Sequence, residues 1–194
     1  MSCERILLCG LDEAGRGPLA GPVSAAAVIL KENFPFGILG DSKKLSPASR
    51  EEARIVICRG SFAWGIGWAG PGEIDEINIH NASLLAMKRA FQAMIPAVGE
   101  IGGIRIRAIA DGLFSPDLPV PCEPLVKADS KIHEVMAASI LAKTARDRLM
   151  EYYGIFYPQY GYEQHKGYPT KAHREAIKRW GPSPIQRMSF RVKA

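Results

Sequence analysis

The sequence predicts an α/β domain in which a mixed β-sheet is flanked by α-helices, and the order of its segments is the main evidence. Three segments with the character of strands come first, helical segments follow, then two more strand segments, and helices close the chain. The 194 residues contain no internal repeat, low-complexity tract or change of composition that would mark a linker. A chain of this length can bury its core as one unit, so we expect a single domain over residues 1–194.

Five segments are expected to form the sheet. Residues 5–11 and 22–30 are short and apolar, as buried strands are, whereas residues 61–69 alternate in polarity, as does the start of residues 104–110. A brief fifth strand is expected at residues 125–128. With the helices between them, these segments favour a mixed sheet.

Capping residues mark two of the expected helices. A loop and then a short helix are expected within residues 41–59, with Ser46 as the N-cap and Pro47 in the first turn. The last clear helix is expected at residues 170–180, where Thr170 is the N-cap and a Gly-Pro pair stops the helix.

Apolar periodicity marks the other helices. Residues 71–78 are expected to form a short helical turn, and residues 81–94 a longer helix. The longest helix is expected at residues 130–153. The apolar residues that recur on one face of the helix at 81–94 are Leu84, Met87, Phe91 and Met94.

Composition argues against a membrane-spanning or secreted protein. No apolar run reaches the ~18 residues that a transmembrane helix needs, and the N-terminus lacks the basic and apolar regions of a secretion signal. The cysteines at positions 3, 9, 58 and 122 form no CxxC pair and no zinc-binding spacing, so reduced thiols are expected. We therefore expect a cytoplasmic monomer with no membrane partner.

Positive charge is concentrated near the C-terminus. The formal net charge is +5, and eight of the 25 Lys and Arg residues lie within residues 164–194, where Glu175 is the one acid. A basic segment beside an acidic remainder suggests a polyanionic partner and a local group of carboxylates. We assign substrate binding to a basic C-terminal segment, residues 154–194. The alternative is a solvated basic helix that only aids solubility, and charge alone favours neither.

Two adjacent acids at the end of the first expected strand are candidates for catalysis. Asp12 and Glu13 follow a buried strand, where uncompensated carboxylates would repel each other and be poorly solvated. A divalent cation would relieve that cost, and so would simple exposure in a turn. Because alternation sends neighbouring side chains to opposite faces, we expect the glycines that follow to turn the chain towards one metal region.

Further acids stand at the ends of other expected elements. Asp111 ends the fourth strand and Asp129 precedes the longest helix, where functional groups gather in α/β folds. Asp129 could alternatively be the N-cap of that helix, or serve both purposes. Carboxylate oxygens suit Mg²⁺ or Mn²⁺, whereas the four histidines lack metal-ligand spacing. The residues expected to contact phosphate in the loop after Asp41 are Ser42, Lys43 and Lys44.

Five motifs, in order, resemble those of the ribonuclease HII family. They are GLDEAGRGPLAGPV at residues 10–23, DSKKLS at 41–46, KADSKIHEVMAASILAKTARD at 127–147, HKGYPTKAHREAI at 165–177 and GPSPIQRMSF at 181–190. Together they are spread over residues 10–190, nearly the whole length of the chain, and are highly specific, whereas any one alone would not be. Residues 113–114 and 132–134 depart from the family pattern without replacing a candidate ligand.

The resemblance implies an RNase H-like fold and an endonuclease that depends on Mg²⁺ or Mn²⁺ and leaves 3′-hydroxyl and 5′-phosphate ends. It implies four active-site carboxylates, which fall on Asp12, Glu13, Asp111 and Asp129. The implied substrates are RNA–DNA hybrid duplexes and DNA that contains embedded ribonucleotides, as met in DNA replication and ribonucleotide excision repair.

Recognition of an RNA strand requires a contact to the 2′-hydroxyl, since phosphates are common to both kinds of strand. The backbone of Gly15, Arg16 and Gly17 is expected to approach that sugar, with the Arg16 side chain on the adjacent phosphate. Tyr168 falls on the family tyrosine that serves the same purpose, with packing as the alternative, and the cut is expected 5′ of the ribonucleotide. The remaining expected contacts are Lys143 and Arg146 with phosphates and His165 near the substrate.

Two other functions are compatible with parts of the sequence. A basic nucleic-acid-binding domain without catalysis would explain the charge asymmetry and the tyrosines at 157, 160, 162 and 168, which could stack on bases or simply pack. A metal-dependent phosphatase or nucleotide hydrolase would also use carboxylates, but the sequence has no phosphate-binding GxxxxGK[ST] motif. The full set of motifs favours the nuclease over both.

Overall fold

The computed structural model describes residues 5–40, 45–98 and 104–191. The strands within these ranges are β1 Arg5–Ala14, β2 Val23–Leu30, β3 Ser61–Ala69, β4 Ile104–Asp111 and β5 Cys122–Leu125. They form one sheet in the order β3-β2-β1-β4-β5. β1 is antiparallel to β2 and parallel to β4, β3 is antiparallel to β2, and β5 is parallel to β4. The expected mixed sheet is thereby confirmed.

Helices connect and cover the strands. The α-helices of the described ranges are α1 Pro47–Gly60, α2 Pro71–Val98, α3 His133–Phe156, α4 Tyr162–His165 and α5 Lys171–Trp180. Short 3-10 helices lie at Phe36–Ile38, Ala128–Ser130 and Pro158–Tyr160. None of the helices in the described residues is both long and apolar enough to span a lipid bilayer.

Helices pack on both faces of the sheet because side chains alternate along its strands. On one face, Ala25 and Ile29 of β2 join a core with α2. On the other face, Ala26 and Leu30 join a core with α1 and α3. Every residue of β2 is buried, which explains why its sequence lacks the polar alternation of a half-exposed strand.

Glycines allow α2 and α3 to approach the sheet closely. A Cβ atom at Gly67 of β3 would lie 2.1 Å from the carbonyl oxygen of Ala86 in α2. One at Gly10 of β1 would lie 2.2 Å from the carbonyl carbon of Glu134 in α3. Both separations are shorter than real Cβ contacts, so α2 and α3 can lie this close to the sheet only because the strands have glycine at positions 67 and 10.

The expected helix caps are confirmed. The Ser46 hydroxyl oxygen accepts a hydrogen bond from the Ser49 N–H at 3.1 Å, and Thr170 Oγ1 accepts one from the His173 N–H at 3.2 Å. The two helical segments expected before β4 are joined in α2, with a break at Asn78, whose φ is 66°. Its side-chain oxygen accepts from the Asn81 N–H at 3.1 Å and so starts the second segment.

Three predicted element boundaries are wrong. β1 continues to Ala14 and does not end at residue 11, because its last residues still pair with β2. The fifth strand ends at Leu125 and the long helix begins only at His133. The cause is Lys127, whose φ of 58° interrupts extended backbone before the 3-10 turn that follows.

Candidate active site

The topology of the sheet explains why acids distant in sequence meet. β1 and β4 are parallel neighbours, and Leu11 pairs with Ala110. Continuing that register by one residue sets Asp12 beside Asp111, at the ends of adjacent strands. The carboxyl ends of parallel strands share one edge of a sheet, which is where ligands bind in α/β folds.

Asp12 and Glu13 lie on opposite faces of β1, at the border of one cavity. Asp12 is 5% exposed and faces Ser139 of α3, whereas the Glu13 side chain is on the α2 side. The glycines that follow do not turn the chain between them, since β1 continues to Ala14. The residues lining the shared cavity are Asp12, Glu13, Ala14, Gly15, Arg16, Gly17, Asp111, Ser139, Lys143 and Tyr168.

Burial and mutual repulsion act on this group of carboxylates. Burial raises the pKa of Asp12 well above its usual range, and the charges of Glu13 and Asp111 raise it further, against a hydrogen bond from Ser139. Burial also raises the pKa of Glu13, although the charge and hydrogen bond of Arg16 oppose that shift. The ionised forms are thus costly here without added positive charge.

Each carboxylate accepts at least one hydrogen bond from the chain. Asp12 Oδ1 accepts from the Glu13 N–H at 2.7 Å, Glu13 Oε1 from Arg16 Nη1 at 3.2 Å, and Asp111 Oδ1 from the Ala128 N–H at 2.7 Å. Among the described residues, no three acidic, histidine or cysteine side chains are already grouped around a common metal position. These hydrogen bonds fix the orientation of the carboxylates and leave lone pairs that a cation could use.

A divalent cation fits this donor set. Glu13 Oε2 is buried and has no hydrogen-bond partner among the described residues, so it is an orphaned acceptor beside Asp12 and Asp111. Carboxylate oxygens are the hard ligands that Mg²⁺ and Mn²⁺ prefer. A bound cation would satisfy that oxygen and offset the repulsion between the carboxylates.

Asp129 lies near the site but outside the lining of the cavity. It belongs to the 3-10 turn Ala128–Ser130, directly after the residue whose N–H is bonded to Asp111. The alternative that Asp129 caps the long helix is wrong, because α3 has Ile132 at its N-cap position and no side-chain cap.

The loop after Glu13 is held from beneath by two buried arginines. Gly15 has a φ of 100°, and a Cβ there would lie 2.0 Å from Nε of Arg146. Arg187 Nη2 donates to the Gly15 carbonyl at 2.6 Å, and Nη1 donates to the Arg16 carbonyl at 3.0 Å. Arg146 is 1% exposed and donates to backbone carbonyls, so it cannot contact a phosphate as predicted.

Tyr168 and Lys143 line the same cavity as the carboxylates. Tyr168 is 41% exposed, and Lys143 Nζ lies 6.0 Å from its ring centroid. Lys143 also donates to Asp147 Oδ1 at 2.6 Å, one turn along α3. Both residues therefore have the exposure that contact with a substrate requires.

His165 is placed differently from the prediction. Its Nε2 donates to the Tyr160 carbonyl at 2.7 Å, and its Nδ1 accepts from the Gly167 N–H at 3.2 Å. Because both ring nitrogens are engaged within the chain, His165 orders the turn before Tyr168 and has no donor left for a substrate. The predicted contacts Ser42, Lys43 and Lys44, like Asp41, lie outside the described residues.

Another cavity continues from the carboxylates towards α2. It is lined by Glu13, Arg16 and Asp111 together with His80, Ser83, Leu84, Met87, Gly112, Leu113 and Phe114. Leu113 is 73% exposed and Phe114 58% exposed, and the Phe114 ring meets His80 edge-on at 4.7 Å between centroids. The departure from the family pattern at residues 113–114 therefore lies beside the site.

Comparison with known proteins identifies the family. The model of the family described as Ribonuclease HII matches residues 9–193. A Ribonuclease HII of Treponema denticola is 55% identical, over 96% of this chain and 99% of its own length. The chain belongs to the ribonuclease HII family. A second relative, the Ribonuclease HII of Pelodictyon phaeoclathratiforme, is 49% identical over 96% of this chain and 90% of its own length.

Solved structures agree with the ribonuclease HII assignment. Ribonuclease HII from Archaeoglobus fulgidus, solved in complex with PCNA, has a TM-score of 0.74 at 25% identity and covers 97% of this chain and 96% of its own. Ribonuclease H2 from Pyrococcus horikoshii has a TM-score of 0.70 at 25% identity, covering 96% and 94%. These neighbours confirm the RNase H-like fold that the sequence motifs implied.

Sequence reasoning missed three residues of this ribonuclease HII site. Ser139 bonds Asp12, Arg187 holds the Gly15–Arg16 backbone, and the buried His173 donates from Nδ1 to the Tyr168 carbonyl at 3.0 Å. The motifs contain all three, but a motif gives no sign of which polar residues point inwards. The burial of Arg187 could not be predicted from residue type, since arginine is mostly exposed in proteins.

Proposed function

We propose that the protein is an endonuclease of the ribonuclease H type that hydrolyses the RNA strand of RNA–DNA hybrids, including ribonucleotides embedded in duplex DNA. The observation that carries the proposal is one cavity that joins Asp12, Glu13 and Asp111 to Gly15–Gly17 and Tyr168. Carboxylates for phosphodiester hydrolysis and groups for contact with a ribose thus line the same space. Membership of the ribonuclease HII family supports this assignment. We expect it to act in the cytoplasm.

Asp12, Glu13 and Asp111 would hold Mg²⁺ or Mn²⁺, with Asp129 completing the site. When bound, such a cation lowers the pKa of an attacking water and stabilises the leaving oxygen, which gives 3′-hydroxyl and 5′-phosphate ends. A ribonuclease HIII with the same fold, at 17% identity and a TM-score of 0.75, was solved with Mn²⁺. The orphaned Glu13 Oε2 and the raised pKa of Asp12 support a cation at this position.

The remaining residues bind and orient the substrate. Positive φ at Gly15 turns the loop so that its backbone can approach a sugar closely. Arg16, half-exposed and paired with Glu13, is placed to hold an adjacent phosphate, and Lys143 offers a second cation. The Tyr168 ring lies beside Gly17, so that a ribose in the cavity would meet the ring and the loop backbone together, with the cut 5′ of that ribonucleotide.

The C-terminal segment 154–194 would extend the binding surface. Lys171 of α5 has a side chain that is 90% exposed, and Lys178 and Arg179 are exposed on the same helix. Arg179 also stacks on the exposed Trp180 ring, 4.7 Å from its centroid. Such a surface suits a phosphate backbone, whose contacts carry no sequence information.

One set of end-labelled duplexes tests the proposal. Duplexes with one, four or many ribonucleotides in one strand, and an all-DNA control, are incubated with Mg²⁺, Mn²⁺ or a chelator. We expect cleavage of the ribonucleotide-containing strands with metal and none of the all-DNA duplex. Binding to all four duplexes without metal-dependent cleavage would favour the non-catalytic nucleic-acid-binding domain instead.

A further inference from the structure

Two arginines are fully buried under the loop that is proposed to contact the ribose. Arg146 is 1% exposed and Arg187 0% exposed, and they are the largest of the fully buried side chains in the described part of the chain. They come from α3 and from the segment after α5. We call them the arginine clamp.

The guanidinium groups of the clamp bond to backbone carbonyls of the loop. Arg187 donates from Nε to Gly21 at 2.8 Å, as well as to Gly15 and Arg16 as described above. Arg146 donates from Nε to Pro22 at 2.9 Å and from Nη2 to Ala20 at 3.0 Å. The planar fork of arginine thus fixes both ends of residues 15–22.

The clamp also joins this loop to the segment that carries Tyr168. Arg146 Nη1 donates to the Lys166 carbonyl at 2.9 Å, two residues before Tyr168. The Leu19 N–H donates to the Gly167 carbonyl at 2.8 Å, and the Arg187 N–H donates to the Leu19 carbonyl at 2.9 Å. The two sides of the proposed ribose site are therefore connected through the clamp.

Burying two cations side by side is costly. Burial, and then the neighbouring Arg146, lower the pKa of Arg187 to about 9, and burial lowers the pKa of Arg146 to about 10. Both stay charged at neutral pH, and the charges of Asp75 and Asp147 partly oppose the lowering of the pKa of Arg187 and Arg146, respectively. The cost is offset by the hydrogen bonds that both guanidinium groups donate to backbone carbonyls of the loop, so the position of that loop depends on their geometry.

We propose that Arg146 and Arg187 are positioning residues for ribonucleotide recognition. They set the distance between the Gly15–Gly17 backbone and Tyr168, and so determine how strongly a ribose is preferred over a deoxyribose. The inference rests on the proposed function, because it deepens the role of the same site. Replacing either arginine by lysine keeps the positive charge but removes the planar set of donors. Such a variant therefore tests the effect of hydrogen-bond geometry apart from that of charge.

Binding measurements with an inactive protein test the clamp. In an Asp111→Asn background, dissociation constants are measured for two duplexes that differ by one 2′-hydroxyl. The ratio of the two constants should fall roughly three- to tenfold in Arg187→Lys and in Arg146→Lys, as for loss of one well-placed hydrogen bond. Affinity for the all-DNA duplex should stay within about twofold, because the phosphate contacts proposed for Lys143 and α5 lie outside the loop that the clamp holds.

Two controls separate positioning from stability. Tyr162→Phe removes the 2.5 Å hydrogen bond between Tyr162 Oη and Ser183 Oγ, which destabilises the same segment while leaving the clamp intact. Arg107→Lys makes the same chemical change in an exposed ion pair with Glu123. Both should keep the full ratio, and melting temperatures should show Tyr162→Phe to be destabilised.

The outcomes are distinguishable. An unchanged ratio in both folded lysine variants would overturn the proposed positioning role. Failure of both variants to fold would also overturn it, because the two arginines would then be required for stability alone. If the Asp111→Asn protein itself shows no preference for the ribonucleotide, the proposed function fails first, and the inference falls with it.

Discussion

Asp12, Glu13 and Asp111 have the same charge in different surroundings. Asp12 is buried against α3, Glu13 is paired with Arg16, and Asp111 is bonded to the Ala128 N–H. The pKa of Asp12 is raised by burial first, so its ionised form is unstable until a cation is near. Stability is thus lowered locally where the chemistry takes place, a common feature of catalytic sites.

Asp111→Asn should leave the fold intact and lower cleavage by ~10²-fold or more, the scale of losing an electrostatic stabiliser. The amide oxygen can still accept from the Ala128 N–H, so the turn after β5 survives, while one negative ligand is lost. Turnover of a single-ribonucleotide duplex in Mg²⁺ is the measurement, with circular dichroism as the check of folding.

Asp117→Asn is the matched control, because Asp117 is exposed and forms an ion pair with Lys88 on the surface. Its turnover should match that of the unmodified protein. A folded Asp111→Asn protein with near-normal turnover would contradict the assignment of Asp111.

Tyr168→Ala should depress cleavage at a single embedded ribonucleotide far more than it lowers the melting temperature. The side chain is partly exposed in the cavity, so little packing is lost, whereas one wall of the proposed ribose site disappears. Tyr152→Ala, at an exposed position near the end of α3, controls for removing a tyrosine. Equal cleavage by the Tyr168→Ala and unmodified proteins would remove Tyr168 from recognition.

Sequence could predict which residues belong to the site better than what each one does. Acids at strand ends are visible in the motifs, and Asp12, Glu13 and Asp111 do converge. Arg146 and His165 were predicted to contact substrate because their motifs match, but burial and internal hydrogen bonds decide their roles. Burial depends on which elements pack together, and in a single sequence the only indication of that packing is the periodicity of apolar residues.

At the scale of elements, boundaries depended on contacts between distant residues. Local pattern predicted the strand at 61–69 and the capped helices, because alternation and capping are properties of adjacent residues. The displaced β5 and α3 could not be predicted in the same way. Their limits follow from Asp111 binding the Ala128 N–H and from the left-handed Lys127.

Gly10→Ala should lower the free energy of unfolding by roughly 1–3 kcal/mol or more, as overpacking does. A Cβ would lie 2.2–2.5 Å from backbone atoms of Glu134 and Val135, so α3 must shift outwards. Because α3 carries Ser139 and Lys143, turnover should fall too. Denaturant unfolding measures the effect.

Gly72→Ala is the matched control, since a Cβ there would meet no described atom within 4 Å apart from its chain neighbours and the adjacent backbone of α2. Gly72 lies in the first turn of α2, where alanine favours a helix, so the change should be neutral or stabilising by up to ~1 kcal/mol. Equal effects of the two substitutions would show that α3 has room to move.

The turn between α4 and α5 should lose stability on acidification. His165 and His173 stack at 4.5 Å between centroids, enclosed by Tyr162 and the Tyr168 backbone, and burial lowers the pKa of both below its usual value near 6.5. On acidification the unfolded chain therefore binds protons at these histidines more readily than the folded chain does. The contribution of the two neutral histidines to the free energy of unfolding is fully present above pH ~6.5 and is lost as pH falls through their lowered pKa values. The loss is at most about 1.4 kcal/mol per pH unit for each histidine.

His173→Asn tests the sign, because an asparagine amide can replace the Nδ1–H donor to the Tyr168 carbonyl without titrating. The difference in unfolding free energy between this variant and the unmodified protein should shrink as pH falls from 7 to 5. A pH-independent difference for His173→Asn would refute the buried neutral state.

At the scale of the whole molecule, the basic C-terminal segment is fixed to the site. Tyr160 and Tyr162 stack at 5.5 Å between centroids and are buried with Ala20, Met150 and Ile185 in a separate core. That core joins the loop after β1, the end of α3 and the segment after α5. Of the tyrosines that could have stacked on bases or packed, Tyr160 and Tyr162 therefore pack. Since Ala176 of α5 packs against the same core, α5 is held at a fixed place relative to the carboxylates.

This fixed placement predicts a steep salt dependence of binding. Each phosphate contact adds about 0.9 to the slope of log affinity against log salt on a B-type duplex. Replacing Lys171, Lys178 and Arg179 of α5 by Gln should therefore lower the slope by up to about 2.7, measured in the Asp111→Asn background. Replacing Lys31, Arg105 and Arg107 by Gln removes the same charge near the opposite end of the sheet, and should leave the slope nearly unchanged. Equal losses from both sets would mean that net charge alone attracts the duplex, and that α5 makes no phosphate contacts.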